Sequence, residues 1–207
     1  MLRISEIFKS IQDEGRYQGT PVIFIRVSGC TRSCSFCDSK YHILGKEYSI
    51  EQIVKEIKKL KLTTIVFTGG EPLIYFNEIK KIVSELPYCS FHLESNGDLI
   101  KNEDIFADIG DYFDYICISP KDNLTAKRIN GISYLSYVEE WDIKVVTDLN
   151  RIGTDRLEHA TMLMPLTTYD VNKDKKIRQK VWDYCVTNNL FYSGRMHIEI
   201  WGKKRKI

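Results

Sequence analysis

Pro21 opens Val22-Ile23-Phe24-Ile25-Arg26-Val27, a nearly unbroken apolar run. A strand that is apolar on both sides has to be covered on both faces, the condition inside a parallel sheet flanked by helices. Further strands are read at Thr64 to Thr68, Ser90 to Ser95, Tyr115 to Ser119, Ile143 to Thr147 and Ala160 to Leu163. Helical patterns lie between several of them. Ser49 with Gln52 reads as a capping box, and Ile50, Ile53, Val54, Ile57 and Leu60 then share one helix face. Asn77 to Leu86 and Glu103 to Asp108 read as further helices, and Asn172 caps another reaching Asn188, with Ile177, Val181, Trp182 and Cys185 inward. Residues 122–132 stay open between helix and loop. Leu2 to Phe8 reads as a short edge strand, followed by a polar loop from Ser10 to Gly15. Arg195 to Trp201 alternates at strand period.

Strands alternating with helices place the chain in the α/β class with a mainly parallel sheet. The 207 residues fall short of the ~250 of a closed eight-fold barrel, so a partial, open TIM-like barrel is expected, as a single domain over 1–207. Thirty basic against 28 acidic residues demand neither nucleic acid nor membrane. No apolar run approaches the ~20 residues of a membrane helix, and Met1 to Phe8 has no signal-peptide character. A cytoplasmic location is the expectation. The basic stretch Lys203-Lys204-Arg205-Lys206 reads as a solvated end.

Six cysteines are present, and three of them, Cys30, Cys34 and Cys37, lie within eight residues. Without a secretion signal, a metal site is favoured over disulfides. Three thiolates can converge on one soft-metal site, and no fourth cysteine is near enough to close a structural zinc site. An iron–sulfur cubane held by three thiolates keeps one iron open for a ligand. The loop follows the strand ending at Val27. Gly69-Gly70-Glu71-Pro72, Ser95-Asn96-Gly97 and Ser119-Pro120-Lys121 follow the next three strands. Ligands in such sheets bind at the carboxyl ends of strands, so four successive ends mark one candidate site. The glycines allow close backbone approach. Arg26, charged inside an apolar strand, needs an anion, either an internal partner or a ligand. Cys89, Cys117 and Cys185 read as small buried apolar residues, and His92 as a satisfied core histidine.

The pattern Cys30-x3-Cys34-x2-Cys37, with Phe36 before the last cysteine and Gly69-Gly70-Glu71-Pro72 after the next strand, resembles the radical S-adenosylmethionine (SAM) superfamily. Within it the chain resembles the 7-carboxy-7-deazaguanine synthase family. That likeness lies in Glu6-Ile7-Phe8, Ser10-Ile11-Gln12-x-Glu14-Gly15, Phe24-x-Arg26, Cys37-Asp38-Ser39, Glu94-Ser95-Asn96-Gly97, Ser119-Pro120-Lys121 and Trp201-Gly202-x-Lys204-Arg205. The resemblance implies ring contraction of 6-carboxy-5,6,7,8-tetrahydropterin to 7-carboxy-7-deazaguanine with loss of ammonia. It implies a [4Fe–4S] cluster on Cys30, Cys34 and Cys37, and SAM against Phe36, Cys37, Asp38, Gly70, Glu71, Gly97, Ser119, Pro120 and Lys121. The pterin would lie against Ile11, Gln12, Asp13, Glu14, Arg26 and Ser95, with Mg2+ at Ser39. A flavodoxin- or ferredoxin-type electron donor and a homodimer are also implied.

Asp13 stands where the family pattern has glycine, and Arg195 near where many members have glutamine, two residues before His197. Both departures touch the substrate end. Two other readings remain at this stage. One is an activase that plants a glycyl radical on a protein partner, which has no need of Gln12, Glu14 and Arg26 as a small-molecule cradle. The other is a non-catalytic iron–sulfur or zinc module.

Overall fold

The computed structural model describes residues 1–35, 37, 43–133 and 138–204. Nine strands form one sheet: β1 Leu2–Ile11, β2 Pro21–Val27, β3 Lys46–Tyr48, β4 Thr64–Gly69, β5 Ser90–Ser95, β6 Tyr115–Ile118, β7 Trp141–Thr147, β8 Met162–Pro165 and β9 Phe191–Tyr192. Their order is β3-β1-β2-β4-β5-β6-β7-β8-β9. Every neighbouring pair from β2 onward is parallel, and β1 runs antiparallel to both β2 and β3. The sheet ends at β3 on one side and β9 on the other, which makes it the open, partial barrel that chain length anticipated.

Residue parity along the strands separates two faces. Ile23, Ile25 and Val27 of β2, Ile65 and Phe67 of β4, Phe91 and Leu93 of β5, Ile116 and Ile118 of β6 and Ile143 and Val145 of β7 belong to one buried cluster with the helices. Those helices are α1 Ile50–Leu60, α2 Phe76–Ser84, α3 Glu103–Gly110, α4 Asn123–Ser133 and α5 Val171–Asn188. The alternate residues line the other, inner face. Val22, Phe24 and Val66 form a small apolar cluster there with Phe8. Further along, the same parity brings in His92 and Glu94, Tyr115 and Cys117, and Asp142 and Lys144. The inner face therefore combines this small apolar cluster with charged residues such as Arg26, Glu94, Asp142 and Lys144, while the helix-covered face is mainly apolar.

The expected elements recur with local differences. Ser49 and Gln52 form the capping box on α1. Residues 122–132, where the sequence pattern allows helix or loop, fall almost wholly within α4, Asn123–Ser133. The first strand is longer than expected, reaching Ile11, and β3 covers it, so it is not at the edge. Two short strands, β3 and β9, carried no usable sequence pattern. Trp182 is 57% exposed rather than inward, since the buried stripe of α5 is narrow and holds Val181 and Cys185. The stretch expected as a closing strand is instead helix α6, Met196–Trp201. Its alternation does not reflect a buried face, because Ile200 and Trp201 are more than half exposed. The amides of Ile198 and Glu199 turn back to the Arg195 carbonyl, at 3.1 and 3.3 Å.

Candidate active site

Three strand-end loops interlock beside Cys30. The Glu71 carboxylate is fully buried. Its Oε1 accepts the Leu73 amide at 3.1 Å and the Ser95 hydroxyl at 2.8 Å, and its Oε2 accepts the Asn96 amide at 2.7 Å. Burial raises the Glu71 pKa, with the three donors acting in the opposite direction. Gly70 follows β4 so closely packed that a Cβ there would stand 1.6 Å from the Gly29 carbonyl oxygen. The Glu71 amide donates to that same oxygen at 2.9 Å. Glycine is required here for backbone against backbone, which presses the Gly-Gly-Glu-Pro turn onto the start of the cysteine loop.

Asn96 extends the link. Its Nδ2 donates to Thr31 Oγ1 at 3.0 Å and lies 3.7 Å from Cys30 Sγ. The Arg32 amide also donates to that sulfur, at 3.4 Å. The Arg32 guanidinium grips Asp98 with a two-pronged contact of 2.7 and 2.6 Å and also pairs with Asp122. Partial burial alone would raise Asp98, but the Arg32 fork and the Thr31 hydroxyl hold it below the usual carboxylate range. Arg32 is raised correspondingly, chiefly by Asp98. Lys121 Nζ donates to Ser119 Oγ at 3.0 Å, and the Ser119 amide donates to the Ser95 carbonyl at 2.7 Å. The four strand ends singled out in the sequence are thus one bonded platform.

The fit to an iron–sulfur cluster rests on donor chemistry. Cys30, Cys34 and Cys37 are free thiols, each partly exposed, on a single loop. Among the described residues the thiols are not drawn in around one point. Two N–H groups already face Cys30 Sγ, and such donors stabilise a thiolate ligand. Phe36, Asp38 and Ser39 lie outside the described residues.

The substrate-side residues converge from the opposite direction. The β1–β2 connection, residues 12–20, crosses the open side of the sheet and meets the segment after β9. The Gly15 amide donates to Ser193 Oγ at 2.8 Å, and the Met196 amide donates to the Asp13 carbonyl at 3.3 Å. Asp13 turns its carboxylate to His197 Nδ1, and Gln12 Oε1 accepts the Asp13 amide at 3.1 Å. Farther along, Arg16 reaches Asp142 through two contacts of 3.0 and 3.1 Å. Tyr17 lies against the rings of His92 and Tyr115, at 4.5 and 5.0 Å between centroids. His92 is buried in that stack, and its Nδ1 has no hydrogen-bond partner among the described residues, so it is a packed rather than a satisfied histidine.

Glu14 points onto the inner face. Its Oε2 lies 2.8 Å from Lys144 Nζ, and its Oε1 lies 3.0 Å from Arg195 Nε. Lys144 also meets Glu94 at 2.9 Å. Burial would raise Glu14, but Lys144 and then Arg195 overcome it and hold the carboxyl far below its usual range. Burial, with Glu14 adding to it, leaves Glu94 raised despite Lys144. Arg26 meets Glu6 at 3.3 Å, an internal partner for the charged residue in β2. Ser95 is buried, with its hydroxyl given to Glu71 and accepting the Gly97 amide at 3.0 Å. Ile11, which ends β1, is 42% exposed.

Several members of this arrangement lie outside the residues the sequence pointed to: Arg32, Asp98, Asp122, Lys144 and Arg16 with Asp142. Lys144 had a signal. It is a lone charge inside the apolar run Ile143-Lys144-Val145-Val146, the same anomaly that singled out Arg26.

Comparison with known proteins bears on the family and the fold. The family model of the radical SAM superfamily matches residues 24–170. A 7-carboxy-7-deazaguanine synthase of Methanocaldococcus jannaschii is 30% identical, covering 94% of this chain and 97% of its own length. One from Hyperthermus butylicus is 28% identical, with 96% and 92% covered. The crystal structure of QueE from Escherichia coli superposes with a TM-score of 0.65 over 93% of both chains at 20% identity, a likeness of fold. The chain belongs to the radical SAM superfamily and, within it, to the family of 7-carboxy-7-deazaguanine synthases.

Proposed function

We propose that this chain converts 6-carboxy-5,6,7,8-tetrahydropterin to 7-carboxy-7-deazaguanine and ammonia. The overall change moves no net electrons, so the reaction would need no stoichiometric oxidant or reductant. The observation that carries the reading is the meeting of two sets of residues on one inner face. The platform around Cys30, Glu71 and Asn96 stands at the strand ends, and Glu14 of the residue 12–20 loop connects to it through Lys144 and Glu94, which directly precedes Ser95 and Asn96. A glycyl-radical activase has to admit a protein backbone. Here the side of the sheet is crossed by a loop tied to Ser193, Arg195 and Met196.

The cluster with SAM, when bound, supplies a carbon-centred radical that abstracts hydrogen. Cys30, Cys34 and Cys37 would hold the cluster. Gly70, Glu71 and Gly97 would shape the SAM pocket with Ser119, Pro120 and Lys121, together with Phe36 and Asp38. Glu71 acts there through the loops it ties together, since its oxygens already serve three protein donors. Gln12 would line the pterin edge with Glu14, which offers its ionised carboxylate, Ile11 and Asp13 would contribute backbone, and Arg26 a guanidinium to the substrate carboxylate. Ser95 would contribute by holding Glu71. Ser39 would supply one oxygen to Mg2+, which takes most of its ligands from water and substrate. A homodimer, a flavodoxin- or ferredoxin-type donor and a cytoplasmic setting complete the reading, with residues 1–207 acting as a single domain. Among the described residues no helix is long and apolar enough to cross a membrane.

The test is anaerobic reconstitution followed by incubation with SAM, dithionite, Mg2+ and carboxytetrahydropterin. Mass spectrometry should detect carboxydeazaguanine. Deoxyadenosine formed without that product would overturn the substrate assignment.

A further inference from the structure

Lys144 lies on the inner face of β7 and is 3% exposed. Its ammonium joins Glu14, from the loop 130 residues earlier, to Glu94 near the end of β5, at 2.8 and 2.9 Å. Exposure does not impose a charge here. The neighbouring inner positions on β8, Met162 and Met164, are apolar and buried. Replacing a buried ion cluster by apolar side chains is often neutral or stabilising, so such a cluster is weak ground for stability. What Lys144 adds is arrangement. Glu94 is followed in the chain by Ser95 and Asn96, which bind Glu71, and Asn96 reaches the Cys30 sulfur. Lys144 is therefore a direct ionic link between Glu14 of the substrate-side loop and Glu94, which leads into the platform beside the cysteines. Without its charge, two carboxylates on one face would repel each other, and the loop would be pushed from its place.

We infer that Lys144 is a positioning residue that fixes Glu14, and with it the residue 12–20 loop, at a set distance from the cofactor platform, so that radical formation stays coupled to pterin turnover. This rests on the proposed function for its catalytic readout only.

Two readouts test it on the cluster-loaded protein. The first is hydrogen exchange, which needs no substrate. In Lys144→Met, amides of residues 12–20 should lose protection while those of α1 and β4 keep it. The second is the ratio of carboxydeazaguanine to deoxyadenosine. It should fall by on the order of 100-fold in Lys144→Met, as expected for a loosened geometry, while SAM is still cleaved. In Lys144→Met/Glu94→Gln the repelling pair is gone and an amide can donate to Glu14, so at least tenfold of the coupling and most of the loop protection should return. Unchanged exchange over 12–20 in Lys144→Met, or a double variant as impaired as the single one, overturns the inference. Should Lys144→Met fail to fold, the double variant decides alone. Coupling within about tenfold of wild type supports the role, and a 100-fold loss refutes it. Wild-type protein that makes no carboxydeazaguanine overturns the proposed function instead, and the exchange arm still judges Lys144.

Discussion

Arg195 Nε lies 3.0 Å from Glu14 Oε1, joining residues 181 apart. The pair sits beside a second one, Asp13 with His197. The two positions where the chain departs from its family pattern therefore belong to adjacent contacts between the same two segments. Removing the Arg195 guanidinium leaves Glu14 paired with Lys144 among the described residues. A hydrogen bond to a charged group contributes about 1.5 kcal/mol, so Arg195→Ala should raise the KM for carboxytetrahydropterin roughly tenfold with kcat little altered. Steady-state kinetics giving an unchanged KM would remove Arg195 from substrate positioning.

Asp13 turns toward His197 and away from the inner face where Glu14 points. Its carboxylate is held by His197, so Asp13→Gly should make the same product. The loss of one partly exposed pair, about 1 kcal/mol, corresponds to a Tm decrease of roughly 2–4 °C. Product mass and scanning calorimetry check both parts. A different pterin preference in the variant would mean that Asp13 sets specificity.

Gly70→Ala places a methyl group 1.6 Å from the Gly29 oxygen. Backbone would have to shift beside Cys30, at a cost of about 3 kcal/mol, and iron content after reconstitution should fall along with Tm. Gly131→Ala is the control. It lies within α4 with nothing within 4 Å of the added atom, and should raise stability by up to ~1 kcal/mol. Equal Tm changes for the two variants would refute the close-packing account.

Tyr17 donates to Glu140, and that bond is the main reason its pKa is pushed up from 10 to about 12. A folded value above the unfolded one contributes stability that is complete below pH 10 and lost as pH rises toward 12. Wild type should therefore lose more stability than Tyr17→Phe between pH 10 and 12, measured by denaturant titration at each pH. Parallel curves would show that the Tyr17–Glu140 bond carries no linkage.

Cys34→Ala leaves two thiols on the loop, too few to hold a cubane against chelation. Reconstituted variant should lack the brown chromophore, and SAM should leave its spectrum unchanged. Wild-type protein that took up zinc, with no response to SAM, would falsify the enzymatic reading at its base.

Much of the site was legible because its signals are local. Three thiols in one loop, glycines at a strand end and a capping box each depend on neighbours a few residues away. The buried parity of β2 could be read for the same reason. Misreadings came where a pattern had no tertiary partner to enforce it. Arg195 to Trp201 alternates like a strand but forms α6, its turn closed locally on the Arg195 carbonyl. Trp182 fell on the expected helix face and is more than half exposed, because only a narrow stripe of α5 meets the sheet.

Residue type and spacing by themselves determined the α/β alternation, the thiol loop and the strand ends that carry polar groups. These follow from periodicity and from which side chains can bind metal. The tertiary structure alone decided what Gly70, Lys144, Arg195 and Asp13 do. Gly70 serves contact with Gly29, Lys144 joins Glu14 to Glu94, and the segment after β9 ties down the loop after β1. Such contacts span tens to nearly two hundred residues, and a charge reveals its partner only when the sheet has curved enough to bring the two together.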